Sequence, residues 1–449
     1  MISAAISVII PLFIGIILGM ISGLIPGIHS NTAAGLILSA GTGIFAVYGD
    51  TGLAVCMVAV LIVHTFLDIV PGTFFGVPDA DTALSVLPAH RLCLLGHGEE
   101  AVRLSAIGSA YGTVFGLAIL SVFLLVLPAV QDMIDWWSGI ILIIVAGVLI
   151  VWSESPEWSF AVFCLSGILG VFAFEYSWLC VPLTEAISPS SASVLMPLLT
   201  GLFGISVLIF SKKGSMPTQT FDGLHIERRS ILKCGLIGTF AGSVVGWLPG
   251  LSNASANAVI ASFVRFEEPQ YYESGSKSAV PAESGESGDS DDSAVSAVPE
   301  SNGRPDGSRG YIIAASAANT ANAFISIGAF YAIMRMRNGV MAAFSHLKEL
   351  PEMTFVIIAA VIAAISGYLL TIGFSKAGRL FSDLNVRSLG ISVIIFMTAV
   401  TLLFTGIFGL FILILATVVG SLTQIIDIRR VPCIGAVMIP VILFSFGIL

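Results

Sequence analysis

The chain has 449 residues, of which 56% are hydrophobic and only 10% charged, with a formal net charge of −9. Its mean hydropathy is +0.99 and its pI is near 5.1. Soluble domains carry about 25% charged residues, so this composition excludes an ordinary soluble chain. It predicts an all-α polytopic membrane protein, and the acidic balance argues against a nucleic-acid partner and fits a high-salt habitat.

A helix needs about 20 apolar residues to cross the hydrocarbon core. In chain order, uncharged stretches occur at 2–25, 32–47, 53–70, 104–130, 137–151, 160–174, 194–210 and 234–248. They continue at 311–334, 355–374, 391–404, 406–425 and 431–449. Some are short, so the reading is about 10–13 transmembrane or re-entrant helices in a multi-pass plasma-membrane protein. The first stretch lacks a basic n-region and a small-residue cleavage pattern and is read as a retained span. Lys212, Lys213, Arg228, Arg229 and Lys233 place their loop in the cytoplasm, with Arg429 and Arg430 on the same side.

The expected organisation is an N-terminal transmembrane repeat at 1–210, a basic cytoplasmic loop at 211–233 and the start of a C-terminal repeat at 234–264. A disordered acidic linker follows at 265–309, and the rest of the C-terminal repeat occupies 310–449. The linker has ten acidic residues and almost no large apolar ones, so it cannot bury a core; it is a solvated connection or a docking segment. Cys56, Cys93, Cys164, Cys180, Cys234 and Cys433 show no metal-ligand or redox spacing, and no metal or organic cofactor is expected.

The division into halves rests on a repeat. GMISGLIPGIHSNTAAG begins at Gly19 and GSVVGWLPGLSNASANA begins at Gly242, so Gly19, Gly23, Pro26 and Gly27 stand 223 positions before Gly242, Gly246, Pro249 and Gly250. Proline fits the first turn of a helix and glycine lets the backbone turn. Each segment therefore reads as a helix that stops at Pro-Gly and a second that starts within a few residues. Ser30, Asn31 and Thr32 in one half, and Asn253, Ser255 and Asn257 in the other, supply capping and hydrogen-bonding groups. A helix start exposes unpaired N–H groups and favours an anion. Paired interruptions of this kind in two halves point to a transport site, although tight loops between short spans would leave the same trace.

Other polar groups lie near or within apolar stretches. Asp79 and Asp81, followed by Thr82, stand two apart in PGTFFGVPDADTALSVLPAH and can share a cation, or one can cap a helix beside a solvated neighbour. His64 and Asp68 are four apart on one helical face, either as a mutually satisfied pair or as a proton or ligand site. Ser316, Asn319, Asn322 and Ser326 share a face, with Thr320 beside them, as ligand groups or as glue between helices. A membrane-embedded enzyme using His64, Asp68, Asp79 and Asp81 is the competing reading, but no HExxH, GxSxG or nucleotide-binding signature is present.

The stretches LIPGIHSNTAAG, Pro71 to Gly112, WLPGLSNASANA and AANTANAFISIGAF resemble the large permease subunit of tripartite tricarboxylate transporters, most closely its archaeal branch. The basic loop before the second Pro-Gly segment and the uncharged start before the first predict two repeats of inverted topology, working by alternating access; the resemblance implies uptake of a di- or tricarboxylate such as citrate, coupled to a sodium ion or proton. It also implies a small membrane subunit and an extracytoplasmic solute-binding protein as partners. Carried over by position, Pro26, Gly27, Pro249 and Gly250 break helices, Ser30, Asn31, Asn253 and Ser255 face substrate, and Asp79, Asp81 and Thr82 match the block after Pro-Gly. Thr32, Asn257, Asn319, Thr320 and Asn322 complete the expected substrate set, with His64 and Asp68 beside the coupling ion. One departure stands out: bacterial members carry Pro-Glu where this chain has Ala317-Ala318.

Overall fold

The computed structural model describes residues 2–25, 30, 33–34, 37, 47–77, 84, 86–153, 155–183, 194–210, 216–248, 253–264, 307–381 and 385–448. Its helices are α1 (Ile2–Leu24), α2 (Gly49–Leu67), α3 (Ile69–Phe75), α4 (Val86–Leu94), α5 (Gly98–Val151) and α6 (Pro156–Glu175). The short α7 (Leu195–Leu199) and α8 (Ser206–Leu208) flank a π-helical turn. Then come α9 (Arg228–Trp247), α10 (Asn253–Phe263), α11 (Gly307–Ile333), α12 (Gly339–Phe344), α13 (Met353–Phe374), α14 (Val386–Ile426) and α15 (Gly435–Ser445). Among the described residues, eight helices are long and apolar enough to cross a membrane; shorter apolar segments are the end of α5 (Trp136–Val151), Leu195–Leu208 and Val431–Ser445.

Two central helices organise the rest. In the apolar windows of Gly49–Phe75 and Gly307–Ile333, 100% and 94% of residues are buried inside the protein, against 22% for the window in Gly98–Met133. The protein thus encloses one helix of each half and leaves the others facing outward, as lipid-facing helices would.

Glycine sets how each central helix meets its neighbour. Gly15, Gly19 and Gly23 of α1 lie against the backbone of Cys56, Val60 and His64 of α2. Gly238, Gly242 and Gly246 of α9, each 223 positions later, lie against the carbonyls of Ala314, Ala318 and Asn322 of α11, each 258 positions after its counterpart in α2. A Cβ at any of these glycines would collide with or crowd the facing helix, so only glycine permits this approach. Contacts advance in the same direction on both helices, so each pair runs parallel. The change of offset from 223 to 258 means that the second half carries 35 extra residues between its paired helices, in the stretch that holds the acidic segment.

A second correspondence closes the unit. α3 ends at Gly76 with φ 68°, and 258 positions later α11 is followed by Met334 with φ 52°. Both are left-handed helix ends, a conformation that glycine adopts freely and methionine rarely.

The halves interlock. Gly108 and Gly112 of α5 lie on the carbonyls of Ile313 and Ala317 in α11. Reciprocally, Thr371 of α13 donates to the carbonyl of Phe66 in α2 at 3.0 Å, and Gly367 packs on the Phe66 ring. Each central helix is therefore lined by a long helix of the other half.

Three boundaries differ from the sequence reading. The stretches 104–130 and 137–151 belong to one helix, α5, which carries Pro128 within it and has no glycine or proline between Gln131 and Trp137 to end it there. The stretches 391–404 and 406–425 are joined in α14 but meet at a kink at Gly406 (φ 65°, ψ −158°), where the backbone comes against the Val181 carbonyl. α11 begins at Gly307, before the expected boundary at 310, because Arg309 is anchored by an ion pair. The stretch 32–47 and residues 265–306 lie almost wholly outside the described residues.

Candidate functional site

Asp68 occupies the junction of α2 and α3. Pro71 cannot donate to the Leu67 carbonyl four residues back, so the helix is interrupted there. The Asp68 N–H still donates to the His64 carbonyl at 3.0 Å, so the chain barely turns. The Asp68 carboxylate is 3% exposed.

Across from it, Asn319 Nδ2 donates to Asp68 Oδ2 at 2.7 Å. One turn back on α2, the hydroxyls of Thr65 and Thr320 are 3.4 Å apart. α13 runs alongside α2 and α5 alongside α11, and Arg379, just past the end of α13, meets Glu99 at the start of α5, so the central helices cross in opposite directions. A carboxylate of one half and an amide of the other thus share a hydrogen bond at the core of the molecule. In a buried, low-dielectric setting such a bond is electrostatically stronger than in water.

The flanking groups follow from the same packing. Gly23 brings α1 close enough for Ser22 Oγ to lie 3.1 Å from His64 Nδ1. Ser316 Oγ lies 2.8 Å from Ser105 Oγ on α5. Ser326 accepts from Asn338 Nδ2 at 2.8 Å, while Asn338 Oδ1 caps α12 by accepting from the Met341 N–H at 2.9 Å. Asn322 faces Gly246 on α9. The polar stripe of α11 therefore divides: Ser316 meets α5, Asn319 meets Asp68, and Asn322 meets α9.

α1 ends level with His64 and Leu67, and α9 ends level with Asn322. α3 and α11 continue beyond those levels, so both glycine helices stop at the depth of the Asp68–Asn319 contact. Arg337 donates to the carbonyls of Val245 (2.9 Å) and Gly246 (3.2 Å), and Arg335 to that of Trp247 (3.3 Å). Two cations thus cap the end of α9 where the dipole is negative.

Of the residues singled out from sequence, Ser30, Asn253 and Asn257 are fully buried, and Tyr311 donates to the Asn257 carbonyl at 3.0 Å. Ser255 lies in α10, but its side chain is outside the described residues, as are Pro26, Gly27, Asn31, Thr32, Asp79, Asp81, Thr82, Pro249 and Gly250.

The sequence reading passed over a second polar centre at the start of α5. Glu99 and Glu100 are each 1% exposed. Glu99 accepts from Arg103 at 2.7 Å and from Arg379, which follows α13, at 2.8 Å. Glu100 is gripped by Arg309 of α11 at 2.8 and 2.9 Å and accepts the His225 N–H at 2.7 Å. Gln219 accepts the Gly98 N–H at 2.8 Å and donates to the Cys93 carbonyl at 2.9 Å. The available signal was two adjacent carboxylates beside a span in a chain with so few charges.

The model of the tripartite tricarboxylate transporter TctA family matches residues 9–435. The chain belongs to that family. Membership and the eight long apolar helices together make it a multi-pass membrane protein. It is also similar to an uncharacterized protein, MJ1079, of Methanocaldococcus jannaschii, 30% identical over 212 residues. That similarity covers 46% of this chain and 50% of the relative, so the chain spans about half the length of the curated relative it matches. No solved structure matches the chain.

Proposed function

We propose that this protein is the permease of a secondary transport system for organic anions, di- or tricarboxylates, driven by a sodium or proton gradient through alternating access. The observation that carries the reading is the buried Asp68–Asn319 contact between the halves, because an ionisable group at membrane depth is retained for function. Asp68 is the coupling group, assisted by His64, Asp79, Asp81 and Thr82. Asn319 holds Asp68 and, with Thr320 and Asn322, faces the substrate.

Inverted topology is supported by direction. α1 and α2 run parallel, α9 and α11 run parallel, and α2 and α11 cross in opposite senses. The ends agree: Asp50 at the start of α2 accepts the N–H of Glu349 just before α13, Arg309 at the start of α11 meets Glu100 at the start of α5, and Arg379 past the end of α13 meets Glu99 at the start of α5. Substrate carboxylates would sit where α1 and α9 stop, among Pro26, Gly27, Ser30, Asn31, Thr32, Pro249, Gly250, Asn253, Ser255 and Asn257. Supply would come from an extracytoplasmic solute-binding protein, with a small membrane subunit completing the system in the cell membrane.

Uptake of a labelled carboxylate panel into sealed proteoliposomes under imposed sodium or proton gradients tests this. Accumulation of one class, and counterflow of labelled against unlabelled carboxylate, is the expected result. Conversion of substrate by the detergent-solubilised chain would instead support the enzyme reading.

A further inference from the structure

Three metal-ligating atoms converge outside the proposed transport path. His97 immediately precedes α5, Glu100 lies in its first turn, and His225 lies on the segment leading into α9. His225 Nδ1 is 3.3 Å and His97 Nδ1 3.9 Å from the same carboxylate oxygen, Glu100 Oε2, and all three atoms lie within 4.8 Å of one another. The rings meet edge to face with centroids 5.7 Å apart.

The lone pairs of Glu100 decide what the cluster can hold. A carboxylate offers about four acceptor positions. Oε1 receives Arg309 Nε and the His225 N–H, and Oε2 receives Arg309 Nη2. One position on Oε2 remains, and both imidazole Nδ1 atoms approach it. His97 Nδ1 is buried yet has no hydrogen-bond partner. A single proton between His225 and Glu100 would leave that nitrogen unsatisfied, whereas a cation bonded to all three atoms satisfies every one.

The donor set and spacing identify the cation. Two imidazoles and a carboxylate suit a borderline divalent ion such as zinc, at about 2.0–2.2 Å from each ligand, which puts tetrahedral ligand atoms about 3.4 Å apart. The His225–Glu100 separation of 3.3 Å already matches, and His97 Nδ1, 3.9 Å from the same oxygen on a partly exposed ring, must move closer to join them. Asp222 Oδ2 lies 3.5 Å from His225 Nε2, placed where an outer-sphere carboxylate would orient a ligating histidine. Arg309 holds the carboxylate of Glu100 from its far side.

We propose that His97, Glu100 and His225 bind one divalent transition-metal ion of the zinc class, with water in the fourth position. The ion fastens the segment 216–227 to the start of α5 beside the Arg309 pair, where the two halves meet.

The untagged full-length chain in detergent, stripped with a chelator and then loaded with Zn²⁺, tests the site. About one zinc per chain is expected after desalting, and loading Co²⁺ instead should give the intense visible bands of a tetrahedral site. His97→Ala and His225→Ala, both at partly exposed positions, should each weaken zinc binding at least tenfold while eluting as the intact protein does. Asp222→Asn should weaken it about tenfold through the outer sphere. Failure of the intact chain to bind zinc, or zinc retention in both histidine variants equal to the intact chain, overturns the proposal.

Discussion

The two glycine-packed helix pairs repeat one backbone arrangement with different chemistry. Gly15, Gly19 and Gly23 against α2 have the spacing of Gly238, Gly242 and Gly246 against α11, down to the left-handed residue that follows each central helix. Yet His64 of the first half stands where the second has Asn322, Asp68 where it has Ser326, and Ser22 where it has Val245. Close approach requires glycine at three positions per pair and leaves the neighbouring polar positions free to diverge. Ionisable groups thus collect on one central helix and amides on the other, and the crossing joins them into one asymmetric site, Asp68 with Asn319.

The sharpest way to break the shared part of this comparison is bulk at the glycines. Gly15→Leu and Gly238→Leu should both abolish monodisperse protein on size-exclusion chromatography, because each side chain would meet the backbone of the facing helix. If only one did, the pairs would not be structural equivalents.

Next in size is the polar centre that ties α5 to α11. Glu100→Ala leaves Arg309 without its partner in a buried setting and should cost about 3–5 kcal/mol, read as a lower thermal midpoint in detergent. Glu99→Ala should cost less, since Arg379 is exposed and can reach water.

The smallest effect separates the two left-handed helix ends. Gly76→Ala places a Cβ 3.2 Å from the His90 ring in a disfavoured conformation and should destabilise by about 1–2 kcal/mol. Met334→Gly removes that penalty at the equivalent position, so its thermal midpoint should be unchanged or higher. A loss for Met334→Gly matching that of Gly76→Ala would show that methionine's contacts, rather than its conformation, hold that end.

How much of this could be read from sequence depends on range. The matching glycine spacing was legible because it is local, although Gly15 and Gly238 acquire a role only through packing; the Pro-Gly pairs lie outside the described residues. Asp68 was legible as a carboxylate in an apolar stretch. Its partner was not, because Asn319 is 251 residues away and only the antiparallel crossing of the central helices brings it near. His64 and Asp68 suggested a pair by their spacing of four, whereas each also meets a group from another helix. Glu99 and Glu100 resembled solvated charges at a span end; their burial comes from α11, the segment after α13 and the segment before α9. The merging of two apolar stretches into α5 was hidden because a short polar interval reads as a loop even when nothing in it breaks a helix.

The most direct test of the central claim is gradient-driven carboxylate uptake by proteoliposomes containing the intact chain, Asp68→Asn or Asn319→Ala, at matched protein content. The account predicts accumulation by the intact chain, loss of gradient-driven uptake by at least 100-fold in Asp68→Asn, and a smaller loss in Asn319→Ala, which leaves the carboxylate in place. Undiminished gradient-driven uptake by Asp68→Asn would contradict it.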